Sequence, residues 1–189
     1  MGTRLVLLAL SIVPLGVTLG ACGKEIGDSC TTGVDCSPNG DRVCLYSNSN
    51  GSNNPGDGYC TIQGCDHSSC PGEAACTRFF SGDFDNRVCD HTVAPADCKP
   101  DPAGATVCCS LDELCAINDH CVPRASEVRY CMRTCGSDGD CRDGYECRDF
   151  ALAQQHGGEA VLAPPKPGDP FVPVTAQNSP KFCAAKPPT

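Results

Sequence analysis

Nineteen cysteines in 189 residues are the reactive side chains this chain carries in quantity. Thiols at that density pair with one another, ligate a soft metal or are modified. Zinc ligation calls for Cys-x2-Cys pairs with histidine at set spacing. The chain contains no such pair, and His67, His91, His120 and His156 are scattered. Pairing is therefore expected, and with it an oxidising compartment. Asp138, Asp140 and Asp143 come near a calcium-loop pattern, but Cys141 and Arg142 break the ligand alternation, as Asn86 and Arg87 do after Asp83 and Asp85. Both stretches are expected to be solvated turns, so no metal and no cofactor is anticipated. Nucleophile-elbow, P-loop and dinucleotide fingerprints are absent, and no serine, histidine and aspartate set stands out by spacing. A non-enzymatic protein is the expectation.

One cysteine stands apart from the rest. An apolar run from Leu5 to Leu19 follows Arg4 and closes on Leu19-Gly20-Ala21-Cys22. Interrupted by Pro14 and Gly16, that run falls short of the roughly 20 residues a bilayer-spanning helix needs, so residues 1–21 read as a cleaved signal. The motif resembles the lipobox of bacterial lipoproteins. The resemblance implies a diacylglyceryl group on the Cys22 thiol, cleavage just before it and acylation of the new amine. Gly23 stands where an inner-membrane retention signal would have aspartate, so the resemblance implies attachment to the bacterial outer membrane through acyl chains. Parity agrees with this use of Cys22. Setting it aside leaves 18 cysteines, an even number able to form nine bridges, whereas ordinary signal cleavage would leave an odd thiol.

After cleavage the net charge is about −10, because Arg4 is the one charge lost from a chain of formal charge −9. An acidic surface disfavours nucleic acid and anionic headgroups, so membrane attachment has to come from lipid and not from a basic patch. Leu, Ile, Val and Phe make up roughly 14 per cent of the mature part, too little for an ordinary hydrophobic core. Disulfides must supply the missing stability at about 2 to 4 kcal/mol each.

The cysteines recur at similar intervals. Cys30, Cys36 and Cys44 are expected to be closed by Cys60; Cys65, Cys70 and Cys76 by Cys89; Cys135, Cys141 and Cys147 by Cys183. A third set, Cys109, Cys115 and Cys121, takes Cys98 and Cys108 with it, and Cys131 is expected to bridge the third and fourth sets. The expected organisation is a tether at 22–29 and tandem modules at 30–64, 65–97, 98–134 and 135–189. Within a four-cysteine module three connectivities remain open. Adjacent Cys108 and Cys109 should reach two different partners, since a ring across one peptide bond strains it. The fold class is small and disulfide-rich, with loop-rich modules, short β-hairpins, one or two short helices and little hydrophobic core.

Gly27-Asp28-Ser29-Cys30 with Asp35-Cys36, and the stretch from Cys135 to Cys147 with Asp140-Cys141, resemble the cysteine-rich lipoproteins of myxobacterial-type Gram-negative bacteria. That resemblance implies the architecture and no particular activity. A weaker, local likeness joins Val107-Cys108-Cys109-Ser110 and Asn118-Asp119-His120-Cys121 to granulin and whey-acidic-protein modules, whose further cysteine pairs are missing here.

Ser110 and Glu113 form a capping box, which predicts a short helix over Leu111 to Ile117. A second helix is predicted from Phe150 to Gln155, ended by Gly157-Gly158. Ala163 to Pro180, with six prolines, reads as an extended loop, and Asn48 to Gly58 as a polar one. Phe79, Phe80 and Phe84 with Arg78 and Arg87 are the densest aromatic and cationic cluster, either a binding hot spot for an unknown protein partner or the core of the second module. Two functions follow: a lipid-anchored envelope protein whose rigid modules act as a structural or protein-binding surface, and a protease inhibitor offering one of the two braced loops.

Overall fold

The computed structural model describes residues 23–46, 58–81, 87–99 and 108–187. Cys22, Phe84 and most of the 48–58 loop lie outside them. Ten short strands and two helices occur among the described residues: β1 (Ser29–Cys30), α1 (Gly33–Cys36), β2 (Val43–Leu45), β3 (Gly58–Thr61), β4 (Ala74–Phe80), β5 (Glu113–Cys115), β6 (Cys121–Pro123), β7 (Glu127–Arg133), β8 (Tyr145–Arg148), α2 (Phe150–His156), β9 (Glu159–Ala160) and β10 (Phe182–Ala185). They form two three-stranded sheets, β1-β3-β2 and β7-β4-β9, and two two-stranded ones, the hairpin β5-β6 and the long-range pair β8-β10, all antiparallel. The protein is a small disulfide-rich, loop-rich fold.

One crosslinking rule organises it. In four places two cysteines face each other on neighbouring strands: Cys44 and Cys60, Cys76 and Cys131, Cys115 and Cys121, Cys147 and Cys183. Facing residues present both sulfurs on one side of the ladder. Each sulfur bonds to a cysteine earlier in the chain, which bolts a loop onto that side. The bridges are Cys30–Cys44 with Cys36–Cys60, Cys65–Cys76 with Cys70–Cys131, Cys89–Cys115 with Cys109–Cys121, and Cys135–Cys147 with Cys141–Cys183. In every set the first cysteine joins the third and the second joins the fourth. A ninth bridge, Cys98–Cys108, closes a loop inside the third set. Cys108 and Cys109 thus reach different partners.

Two expected partnerships are corrected by this order. Cys89 does not close the second set; it bonds Cys115. Cys131 joins Cys70 and not the fourth set, because β7 returns to lie against β4 with Cys131 opposite Cys76. Cys98 and Cys108 stay with the third set as expected, bonded to each other. The third set is consequently nested between the third and fourth cysteines of the second, and two bridges cross the expected 97/98 boundary.

Local chemistry explains the turns that carry the first two cysteines of the outer sets. The Asp35 carboxylate accepts the Thr31 and Thr32 backbone N–H groups, each at 2.8 Å. Asp140 does the same for Gly136 and Ser137 at 2.8 and 2.9 Å. Those hydrogen bonds hold both carboxyls below the usual carboxylate range. Helix α2 begins as predicted: Asp149 accepts the Leu152 N–H at 3.1 Å, and Gly157 at φ 82° stops the helix. The helix predicted over Leu111 to Ile117 does not form. Ser110 N–H does donate to Glu113 at 2.8 Å, but this closes a tight turn that enters β5. Bridges from Cys115 to Cys89 and from Cys109 to Cys121 pull that segment into a hairpin.

The central cluster joins residues from all four sets: Ile26, Tyr59, Cys76, Ile117, Cys131, Met132, Tyr145 and Phe182 are among its buried members. The Tyr59 and Tyr145 rings stack with centroids 5.0 Å apart, and Tyr59 Oη accepts the Arg133 N–H at 2.8 Å. Thr61 Oγ1 donates to the Cys131 carbonyl at 2.7 Å, and Cys131 N–H donates to Ile62 O at 2.9 Å, so β3 runs on alongside β7. Backbone pairing therefore ties the stapled sets together.

Gly58 shows how tightly the bridges pack. Facing Cys30 in the β1-β3 pair, it leaves no room for a methyl group, which would fall onto Cys44 Sγ and lie 2.7 Å from Cys30 O and 2.9 Å from Cys30 Sγ. Gly58→Ala should lower stability by roughly 1–3 kcal/mol, as overpacking of a filled interior does. Chemical denaturation of the oxidised proteins checks this, and an unchanged midpoint would show that the bridge can move aside.

Candidate functional site

Beyond the bridges, a broad concavity lies under the proline-rich segment. Helix α2 ends at Gly157, β9 pairs with β4, and the chain then leaves the sheet at Val161 to run over β4, β5 and the 91–95 turn. The space it spans is a cleft of about 1050 Å³. Arg78, Glu159, His91, Leu114 and Ile117 lie along its floor, and Pro164, Pro170, Phe171 and Pro173 along the strap that covers it.

The floor is built around a buried charge. The Glu159 side chain is 1 % exposed; it pairs with the Arg78 guanidinium and accepts the Ile117 N–H at 2.7 Å. Burial raises the Glu159 carboxyl pKa, against the Arg78 charge and the Ile117 hydrogen bond, which oppose the rise. His91 sits beside it, its Nδ1 2.6 Å from Asp119 Oδ1 and its ring centroid 6.1 Å from that of Phe150. Asp90, His91 and Asp119 offer ligand atoms within 4.8 Å of one another. The Asp90 carboxylate is already engaged by the Thr92 N–H at 2.9 Å and the Thr92 hydroxyl at 2.6 Å. Four groups of three cysteine sulfurs also cluster within 4.8 Å, but every one of these sulfurs is in a bridge and offers no thiolate.

A second polar network lies behind α2. Arg148 Nε donates to Glu146 Oε1 at 2.8 Å, Arg148 Nη1 donates to the His156 and Gly157 carbonyls at 2.7 and 2.8 Å, and His156 Nδ1 lies 2.7 Å from Glu146 Oε1. Burial pushes the Glu146 carboxyl up, but the His156 and Arg148 hydrogen bonds and charges outweigh it and hold the group below the usual range. These contacts satisfy the C-terminal carbonyls of α2 and fix the helix to β8. They are structural in character.

The predicted aromatic cluster divides. Phe79 is half-buried against Phe182 and Tyr130, with ring centroids 6.2 and 6.4 Å away. Phe80 packs on Leu114, Ala116 and Val122, with Arg78 Cζ 5.8 Å from its ring centroid. Both rings serve the interior, and Arg78 is the member that reaches the cleft. Sequence inspection missed Glu159, though a lone acid at the head of the apolar run Ala160-Val161-Leu162 was the available signal.

The strap has its own supports. Asp169 accepts the Lys166 N–H at 3.1 Å and returns its own N–H to the Lys166 carbonyl at 2.9 Å, which closes one turn. Asn178 closes another: its oxygen accepts the Thr175 N–H at 2.7 Å and its amide donates to the Pro173 carbonyl at 2.8 Å. Between them Val174 is buried, whereas Phe171 and Val172 remain 42 % and 56 % exposed.

Fold and site together define a small disulfide-rich protein with an open cleft and a braced, exposed proline-rich segment. No family model, curated protein or solved structure matches the chain.

Proposed function

We propose that the chain is an exported, lipid-anchored, non-catalytic protein of the bacterial outer membrane whose stapled surface is structural or binds another protein. The observation that carries this reading is the pairing of 18 cysteines in nine bridges, every cysteine of the sequence except Cys22, the one in the lipobox-like setting. The likeness to the cysteine-rich lipoproteins of myxobacterial-type bacteria agrees with it. Acyl chains on Cys22 would supply the membrane partner, and the negative net charge argues against nucleic acid. The non-catalytic role rests on the sequence, which carries no nucleophile-elbow, P-loop or dinucleotide fingerprint.

Intact mass of the membrane-extracted protein tests the reading. Acyl mass that disappears in Cys22→Ala, together with 18 thiols alkylatable only after reduction, is the expected result. A mass without acyl groups, or thiols free before reduction, would refute the anchor or the stapled surface respectively.

A second reading, inhibition of a protease, is favoured by the strap. Residues 163–172 are all exposed, with one hydrogen-bonded turn inside the segment at Lys166–Asp169 and another just after it at Pro173–Asn178.

A further inference from the structure

We propose that Pro170-Phe171-Val172-Pro173 is a substrate-like inhibitory segment, with Phe171 as the side chain that enters the primary pocket of an endopeptidase selective for aromatic residues. The proposal rests on the second reading above and assigns its contact residue. Three observations carry it.

First, the segment is stiff before it binds. Pro170 and Pro173 have fixed φ, and the residues before them, Asp169 and Val172, are confined to extended backbone. Endopeptidases bind peptides as extended strands, and a strand already ordered loses less entropy on docking. Second, Phe171 and Val172 are exposed apolar neighbours in a chain with few apolar residues to spare. Their neighbour Val174 is buried, whereas this pair borders the cleft and still keeps 42 % and 56 % of its surface exposed. Third, both flanks are anchored and braced: the chain enters the strap from β9, which pairs with β4, and returns to the interior at buried Val174, with a local turn on either side of Phe171. Lys166 and Asp169 close the turn before Phe171, while Asn178 holds the Pro173 carbonyl and the Thr175 N–H after it. The Cys141–Cys183 bridge fixes β10 a few residues further on. Segments so tethered cannot drift from an active site as ordinary products do, so occupancy persists without turnover.

Inhibition of chymotrypsin and trypsin by the detergent-solubilised full chain and by Phe171→Arg decides the matter, with the thiol count as the check that the variant has folded. The wild type should inhibit chymotrypsin and spare trypsin. In Phe171→Arg the preference should reverse, each enzyme's affinity changing by roughly 30-fold or more, as for an anchor residue in a buried pocket. If chymotrypsin is inhibited equally by both forms, Phe171 is not the contact, although inhibition itself survives. If the wild type inhibits neither enzyme, the segment and the inhibitor reading fall together. Rapid cleavage after Phe171 without inhibition would make the segment a mere substrate and would also overturn the proposal.

Discussion

Reduction of the nine bridges is expected to unfold the protein outright at neutral pH, with loss of near-ultraviolet dichroism and of dispersed amide resonances. The apolar interior is small, and several of its buried members are the cysteines themselves, among them Cys65, Cys76 and Cys131. Each bridge contributes about 2 to 4 kcal/mol, so their sum exceeds the 5–15 kcal/mol or so by which most domains are stable at all. Single bridges should differ in a way that follows from loop length and burial. Cys70–Cys131 spans 61 residues, and Cys131 is fully buried behind β4 and β7. Its loss through Cys70→Ser with Cys131→Ser should cost up to about 4 kcal/mol in loop entropy, and more where the serine hydroxyl at 131 finds no partner. Cys98–Cys108 spans 10 residues between two half-exposed cysteines, neither of which lies on a strand. Removing it should cost no more than about 3 kcal/mol and leave the dispersed spectrum of the core in place. Denaturant midpoints of the two double variants check the order, and equal midpoints would show that nesting of the sets carries no weight.

The nesting also marks the limit of what the sequence discloses. Composition and parity are enough for a stapled, loop-rich fold, because 18 paired thiols and so few aliphatic residues admit little else. Spacing places the first three cysteines of the outer sets correctly, as Asp35 and Asp140 turn the chain in the same way before Cys36 and Cys141. It fails where a partner is distant. Nothing local tells Cys70 to pass over Cys89 and wait for Cys131; that choice is made by β4 and β7, whose seven-residue ladder sets Cys76 opposite Cys131. The capping box at Ser110 misleads for a related reason. Its hydrogen bonds stabilise the first turn of a helix or a lone turn equally well, and the bridges at Cys109 and Cys115 then decide for a hairpin. The cleft was least visible. Arg78 reads as part of an aromatic cluster, and its partner Glu159 lies 81 residues away, beyond any helical or strand periodicity.

That partnership should have the largest effect of any single surface-reaching side chain. Arg78 is 25 % exposed and Glu159 1 %, so truncating the arginine leaves a carboxylate in the interior with the Ile117 N–H as its one remaining strong donor among the described residues. Arg78→Ala is expected to cost about 3–5 kcal/mol at neutral pH, the usual result of breaking a buried pair from one side. The pH dependence distinguishes this from simple loss of packing. Burial already raises the Glu159 pKa above that of an unfolded glutamate, and removing the Arg78 charge takes away the strongest opposing influence. A carboxyl whose folded pKa is raised binds its proton more tightly in the folded state. The stabilisation it brings is complete below the unfolded pKa and is lost as pH rises through the folded one. Arg78→Ala should therefore approach wild-type stability near about pH 4 and fall furthest behind near about pH 8. Adding Glu159→Gln to the variant should flatten that slope, since the amide has no proton to lose, while leaving whatever cost the missing guanidinium stem imposes. Denaturation curves for the three proteins across that range give the answer; a loss for Arg78→Ala that is constant with pH would mean that the guanidinium acts on β4 and the cleft floor by packing against Phe80, and that Glu159 is held by the protein without help from its charge.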